Sequence, residues 1–247
     1  MESAAIRGEI VPREGVCARL EEQLYLLYAA HYEGGSRERF HADLVEKPWL
    51  LLLRDGGTGA PVGFSTQTTL DVEVEGRPIR ALFSGDTIVH RHYWGSQELT
   101  RTWLRFAGAQ LAQCGERAFY WFLISKGHRT YLYLPLFFHA FYPCRDAPTP
   151  PFEQKLIDAL AAARYPDAFD PGTGLIRWRG EHDRLRPELD GAADRLRNPH
   201  VRFFVSRNPD YLSGTDLACV AEIRPDNLRG WVRRDLEAAA AAAQGGA

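Results

Sequence analysis

The side chain that stands out for chemistry is Asp86, a carboxylate in the segment Ser84-Gly85-Asp86-Thr87 of an otherwise apolar run. It is either a proton acceptor of raised pKa or a buried group hydrogen-bonded to backbone at a bulge beside Gly85, and the sequence leaves both open. Tyr133 carries a hydroxyl that could give up a proton, inside an aromatic stripe with Tyr131, Phe137 and Phe138 that also reads as core packing. His128, just past Lys126-Gly127, is a candidate base near neutral pH, or else a surface or helix-capping histidine. His90 and His92 fall on one strand face, but no Asp, Glu or Cys at supporting spacing follows, so no metal site is expected. Ser84 and Ser125 sit in no Gly-x-Ser-x-Gly elbow, which leaves a hydrolase triad unsupported.

These groups need elements to position them. Gly15 to His31 places Val16, Leu20, Leu24, Leu27 and Tyr28 on one side of a helix, and Ser36 caps a second helix through Val45. Three strands follow as an antiparallel meander: Trp49 to Arg54, about Val62 to Val74, and Ile79 to Val89, joined by Asp55-Gly56-Gly57-Thr58-Gly59 and Glu75-Gly76-Arg77-Pro78. After Val89 the period changes. Ser96 caps a helix carrying Leu99, Trp103, Phe106, Leu111 and Cys114, Gly115 stops it, and Ala118 to Ser125 is a buried strand. Strand, helix and strand in that order make a parallel crossover, so the fold class is α+β, or mixed α/β, with a short helix around Arg129 to Phe138 and a strand near Phe141. The proline-rich Pro143 to Pro151 divides the chain into a core of residues 1–146 and a C-terminal extension of residues 147–247 that completes or flanks the sheet. In the extension the pattern predicts a helix over Phe152 to Ala163, a weak strand at Gly174 to Arg179 and an interrupted charged helix over Arg184 to Leu196. Strands over Val201 to Ser206 and Leu217 to Ile223 and a C-terminal helix from near Asp226 follow.

Composition narrows the function. With 247 residues, 45% of them hydrophobic, and 30 Lys plus Arg against 32 Asp plus Glu, the chain has material for a sizeable core. A net charge of -2 offers no field for nucleic acid. The strongly apolar stretch Tyr131 to Tyr142 is far shorter than the ~20 residues that span a bilayer, and no secretory leader is visible. Cys17, Cys114, Cys144 and Cys219 lie far apart without a Cys-x-x-Cys pair, as expected of reduced thiols in a cytoplasmic protein.

Two junctions carry a resemblance. The run Thr87-Ile88-Val89-His90-Arg91-His92-Tyr93-Trp94-Gly95 closes the third meander strand. It is similar to the strand end of the GNAT acyltransferase superfamily, a Val, a short link and then Tyr-Arg-Gly-x-Gly. Val89, Tyr93 and Gly95 fall on matching positions, while Gln97 replaces the second loop glycine and Glu98 adds a carboxylate to the first helical turn. Leu132-Tyr133 followed by Phe138 resembles that superfamily's Asn-x-x-Ala-x-x-Leu-Tyr-x-x-x-Gly-Phe stretch, with Lys126, Arg129 and Phe137 in place of Asn, Ala and Gly. The resemblance covers roughly residues 15–145.

The resemblance implies a GNAT-like fold and an acyltransferase that uses acyl-CoA, or acyl-phosphopantetheine on an acyl-carrier protein, as co-substrate, with no permanently bound cofactor. The pantetheine arm would run along Ser84, Thr87, Ile88, Val89 and Ser125. The phosphate end would meet the backbone of His92, Tyr93, Trp94, Gly95, Ser96 and Gln97 and the following helix N-terminus. Asp86 would take the proton of a small-molecule amine or hydroxyl acceptor, and Tyr133 would protonate the departing thiolate. The aromatic run from Phe119 to Tyr142 could line a site for a long acyl chain. The departures at Gln97, Glu98 and Lys126 fit an alternative, a non-catalytic module of the same fold that binds a small molecule or a protein partner.

Overall fold

The computed structural model describes residues 6–180 and 182–245. In chain order its elements begin with β1 (Ile6–Pro12), α1 (Ala18–His31), β2 (Tyr32–Glu33), α2 (Arg37–Val45), β3 (Trp49–Asp55), β4 (Pro61–Val74) and β5 (Arg77–Val89). Next come α3 (Glu98–Ala112), β6 (Ala118–Ser125), α4 (His128–Tyr131), α5 (Tyr133–Phe137) and α6 (Pro151–Arg164). The chain continues through β7 (Phe169–Asp170), β8 (Leu175–Ile176), β9 (Arg184–Leu185), α7 (Pro199–Arg207), β10 (Asp216–Glu222) and α8 (Gly230–Gly245).

The main sheet runs β1-β3-β4-β5-β6-β10-β8-β7, and β2 pairs with β9 apart from it. β3, β4 and β5 form the antiparallel meander, and β5 pairs parallel with β6 through the α3 crossover. The fold is therefore mixed α/β, in the element order that the GNAT resemblance implies. Alternation along each strand sends neighbouring residues to opposite faces. On one face Leu51, Leu53, Trp121 and Leu123 pack against α3 and α8, in a core with Trp103, Val232 and Leu236. The other face carries two separate cores. Leu50, Leu52 and Phe64 meet Leu24, Tyr28, Phe40 and Leu44 of α1 and α2, whereas Phe83, Tyr120 and Phe122 meet Leu156, Ile157 and Leu160 of α6. The gap between those two cores is where the candidate site lies.

Several elements differ from the sequence expectation. Residues 199–207 are helical instead of extended, because the Asn198 side chain accepts from the His200 N–H, Pro199 occupies the first turn, and Val201 and Phe204 then share a buried face. The expected charged helix over Arg184 to Leu196 is replaced by β9 and two short 3-10 turns. Pro187 lacks a donor, and Gly191 takes φ 62°, which breaks a helix. Near Phe141 there is only an isolated bridge, Tyr142 to Val220. The C-terminal helix starts at Gly230, four residues later than the pattern predicts, and runs through Gly245.

β1 has no counterpart in the sequence reading, and it accounts for Glu98. The Glu98 Oε1 accepts from the Gly8 N–H at 3.1 Å, Arg105 Nη2 donates to the Gly8 carbonyl at 2.9 Å, and the same Arg105 lies 3.7 Å from Glu98. The carboxylate in the first turn of α3 thus turns sideways and fastens the edge strand. A Cβ on Gly8 would overlap Thr102 Oγ1 and come within 3.0 Å of Glu98 Oε1. Gly8→Ala is expected to destabilise the fold by about 1–3 kcal/mol, read as a lower urea midpoint at unchanged slope; an unaltered midpoint would contradict this docking.

Candidate active site

Parallel pairing between β5 and β6 ends at Ser84 with Leu123. Beyond that point β6 stays with β10, where Ser125 pairs with Leu217, and β5 stays with β4. The two strands part, and backbone groups of residues 85–89 on that side lose their ladder. The register of β4 and β5 shifts at the same place, with Ser65 opposite Thr87 and Gln67 opposite Ser84, so Gly85 and Asp86 together oppose Thr66. This is the bulge that the Gly85-Asp86 pair allowed. Glycine leaves room there, since a Cβ on Gly85 would stand 2.6 Å from Thr66 Oγ1 and 2.8 Å from Lys47 Cε and would push both side chains aside.

A cleft of about 430 Å³ opens on the face shared by the two smaller cores. Its lining includes Tyr28, Arg39 and Asp43 from the helices α1 and α2, Lys47, Gly85 to Thr87 on β5, Lys126 after β6, Arg164 and Tyr165 at the end of α6, and Trp178, Asp183 and Asp216. Most of its charges are matched. Lys126 Nζ lies 2.5 Å from Asp183 and 4.0 Å from Asp216, Lys47 pairs with Asp43, and Arg164 reaches Glu46 at 2.7 Å. Trp178 Nε1 donates to Asp216 at 2.9 Å. Asp86 has no hydrogen bond or ion pair to its carboxylate among the described residues. Burial pushes it up to about 7, with the Asp43 and Asp183 carboxylates adding to the rise and the Lys47 and Lys126 ammonium groups opposing it. Asp216 is pushed up to about 6, chiefly by burial, against the pull of Lys126. Burial works against the charge on Lys126, yet the Asp216 and Asp183 carboxylates outweigh it and raise its pKa.

On the opposite face the parting strands leave only about 20 Å³, bounded by Ser84, Thr87, Trp103, Trp121, Thr130, Tyr133 and Phe137 among others. That is room for one water-sized group. Burial raises the pKa of the Tyr133 phenol, so it stays protonated through neutral pH. Thr87 and Thr130 line both the cleft and this small cavity. Asp86 and Tyr133 therefore stand on opposite sides of one gap. The aromatic residues expected to line a site for a long acyl chain pack largely on one another beside Tyr133. The rings fill the space themselves, Trp103 at 4.4 Å from Trp121 and Trp121 at 5.9 Å from Phe137 between centroids.

The other residues singled out in the sequence divide. Ser84 Oγ is held between Gln67 and Trp121, at 2.8 and 2.9 Å, beside the small cavity. Ile88 is buried with α1 and α2, and Ser125 is fully buried and lines neither space. His128 is not at the rim. It is 1% exposed, lines neither space, lies 3.6 Å from Asp190, and burial lowers its pKa to about 4, so it is neutral and out of reach of a substrate. The Val89 carbonyl accepts from Trp94 Nε1 at 2.7 Å and faces His31 Nε2 at 3.0 Å, while Tyr93 donates to Asp55 at 2.9 Å. These bonds fix the turn that leads to α3. The ring of Trp94 carries the Arg129 guanidinium at 3.9 Å, and His92 and Gly95 are exposed. Ser96 Oγ takes the Glu98 N–H, and Gln97 caps α3 without a side-chain bond. Glu98 is turned toward β1, and the backbone of Gly95 and Gln97 leads directly into the first turn of α3. Among the described residues no group of three or more metal-ligating side chains forms, and no helix is long and apolar enough to cross a membrane.

The sequence reading missed most of the cleft: Arg39, Lys47, Arg164, Asp183 and Asp216 come from four separate segments with no pattern to associate them. Of the cleft, the sequence points to Asp86 with its neighbours Gly85 and Thr87, and to Lys126 as a departure from the family pattern.

No protein-family model matches the chain, and no curated protein matches it. Among solved structures, it is similar to a conserved protein of unknown function from Enterococcus faecalis V583, described as a probable N-acyltransferase. The identity is 13% over 56% of this chain and 33% of that one, with TM-score 0.41. A GNAT family N-acetyltransferase from Escherichia coli in complex with CoA aligns at 20% identity over 49% of this chain and 64% of that one, TM-score 0.35. Subunit AI of arginine/ornithine succinyltransferase from Pseudomonas aeruginosa aligns at 12% identity over 94% of this chain and 79% of that one, TM-score 0.41. The chain spans about a third of the Enterococcus protein's length and under two thirds of the E. coli protein's. With every one of these scores below 0.5, the likenesses carry no inference about activity, which must come from this chain's own side chains.

The raised pKa of Asp86 has a consequence for stability. The folded state favours its protonated form, so the stability of the wild type relative to Asp86→Asn is greatest below the ordinary carboxylate range and falls as pH rises from about 4 through about 7. Chemical denaturation at pH 4.5 and pH 8 is expected to show Asp86→Asn gaining on the wild type by at least about 1 kcal/mol between them. A pH-independent difference would contradict the assignment.

Proposed function

We propose that this chain transfers a short acyl group from a thioester, acyl-CoA or phosphopantetheine borne on a carrier protein, to an amine bound in the cleft. The observation that carries the reading is the gap between β5 and β6, with a carboxylate titrating near neutrality on one side and a protonated phenol on the other. Thr87 and Thr130 border both sides. A thioester laid across the gap would meet an amine coming from the cleft.

The residues fit the steps such a transfer needs. Asp86 takes the proton from the acceptor ammonium or from the amine as it attacks the thioester carbonyl carbon. A base with a pKa near 7 is half ionised at neutral pH and can do this without a large driving-force penalty. Charge then develops on the carbonyl oxygen, and the backbone of residues 85–89, freed from β6, supplies donors for it. When the carbon–sulfur bond breaks, Tyr133 delivers its proton to the thiolate and the amide product leaves with the acyl group. A donor phosphate would rest at Gly95 to Gln97 and the α3 N-terminus, with Arg91 next in the turn. The small residual volume at Tyr133 favours acetyl-sized or other short groups over long chains.

The same small volume supports a second reading. Trp103, Trp121, Tyr133 and Phe137 nearly close the α3 side of the gap, as they would in a module of this fold that binds a small molecule in the cleft and transfers nothing. Thiol release from acetyl, octanoyl and palmitoyl thioesters, on CoA and on carrier protein, with a panel of primary amines separates the two. The transfer reading expects release with the short donors, kcat/KM rising with pH through about 7, and a loss of about 10²–10⁴-fold in Asp86→Asn at unchanged donor affinity. Release from no donor, or full turnover by Asp86→Asn, would overturn it. Tyr133→Phe is expected to slow thioester cleavage by about 10-fold or more, most for poor leaving thiols.

A further inference from the structure

The charges that line the cleft are not left balanced at random. Lys47, Lys126 and Arg164 each meet a carboxylate of the lining. Both ring nitrogens of His182 face backbone carbonyls, of Gly180 and Ser213, at 2.9 Å each. Among the described residues two charged groups of the lining remain without a side-chain partner: the half-buried carboxylate of Asp86 and the exposed guanidinium of Arg39 on α2. The Tyr28 hydroxyl lies in the field of both. Burial raises its pKa most, Asp86 adds to the rise and Arg39 opposes it.

A ligand complementary to this surface carries one positive and one negative group. A polyamine would leave Arg39 facing a like charge, and a dicarboxylate would set its second anion against Asp86, Asp183 and Asp216. We infer that the acceptor bound in this cleft is a zwitterionic amine of amino-acid type, its ammonium against Asp86 and its carboxylate against Arg39. The guanidinium suits a carboxylate through paired N–H donors. The aromatic walls of Tyr32, Tyr165 and Trp178 remain for the acceptor's side chain, and a space of about 430 Å³ accommodates a molecule of that size. The inference rests on the acyl-transfer reading for what happens to the amine, but the binding claim can be tested without any donor.

The test uses the full chain and the twenty proteinogenic L-amino acids, each beside its carboxamide, which keeps the amine and removes the negative charge. Calorimetric titration reads binding, and thiol release from acetyl-CoA reads transfer. At least one amino acid is expected to bind at least tenfold more tightly than its carboxamide. Arg39→Gln is expected to bring that ratio near one, and Arg39→Lys to keep part of it, which separates loss of charge from loss of fold. Asp86→Asn is expected to weaken both members of the pair. Binding of no amino acid, equal binding of the acids and their carboxamides, or a preference that survives Arg39→Gln would each overturn the inference. Transfer to amines with no carboxylate preference would sink the inference and leave acyl transfer standing. Selective binding of an amino acid with no thiol release from any short-chain donor, on CoA or on carrier protein, would uphold the inference and sink the transfer reading.

Discussion

Everything proposed for this protein depends on where one parallel strand pair stops. β5 and β6 are bonded up to Ser84 and Leu123, and then each follows its other neighbour. The divergence cannot be left empty, because unpaired backbone groups inside a sheet are costly unless something satisfies them. The bulge at Gly85-Asp86 turns β5 toward β4, the cleft brings water and polar side chains to one face, and aromatic rings seal the other. The α3 crossover links the same two strands, so the helix that would meet a donor's phosphate end is tied to the gap that would hold its reactive end.

The cleft is possible because the two cores on its face do not merge. α1 and α2 cover β3, the start of β4 and Ile88 of β5, α6 covers the end of β4 with β5, β6 and β10, and the cleft lies between the two cores. Charged side chains line that cleft in pairs: Lys126 with Asp183 and Asp216, Arg164 with Glu46. Leaving one partly buried carboxylate without a mate costs stability, and its neighbours make the cost larger by adding like charge. A carboxylate held in that condition is suited to accept a proton, which is the ground on which Asp86 is proposed as the base.

Local signals in the sequence were enough for the parts of the fold built from local periodicity. The meander, α3 and β6 follow from alternation, turn residues and caps, and Asp86 was visible because a carboxylate is out of place in an apolar strand. What could not be read is what long-range contacts decide. β1 looks like an unstructured start until Glu98 and Arg105 of α3 are there to hold Gly8. Residues 201–206 are β-branched and aromatic enough for a strand, and only the Asn198-Pro199 start shows the helix. His128 looked like a rim residue from its place after β6, but α4 turns it inward toward Asp190. The aromatic residues after Phe119 read as core or as the lining of an acyl site, and the distances between rings show which of them pack on one another. Of the cleft, the unmatched pair Asp86 and Arg39 is separated by 47 positions in the chain, so nothing in sequence spacing could associate them.

The central claim is that chemistry occurs in the gap between β5 and β6, with Asp86 and Tyr133 on its two sides. A crystal structure of the protein with a non-hydrolysable acetyl-CoA thioether would test it most directly. The account predicts the thioether sulfur beside the Tyr133 hydroxyl, the carbonyl between Thr87 and Thr130, and its far side open to Asp86. A donor bound elsewhere, or a gap still closed by Trp103 and Trp121 with the analogue at saturating concentration, would contradict it.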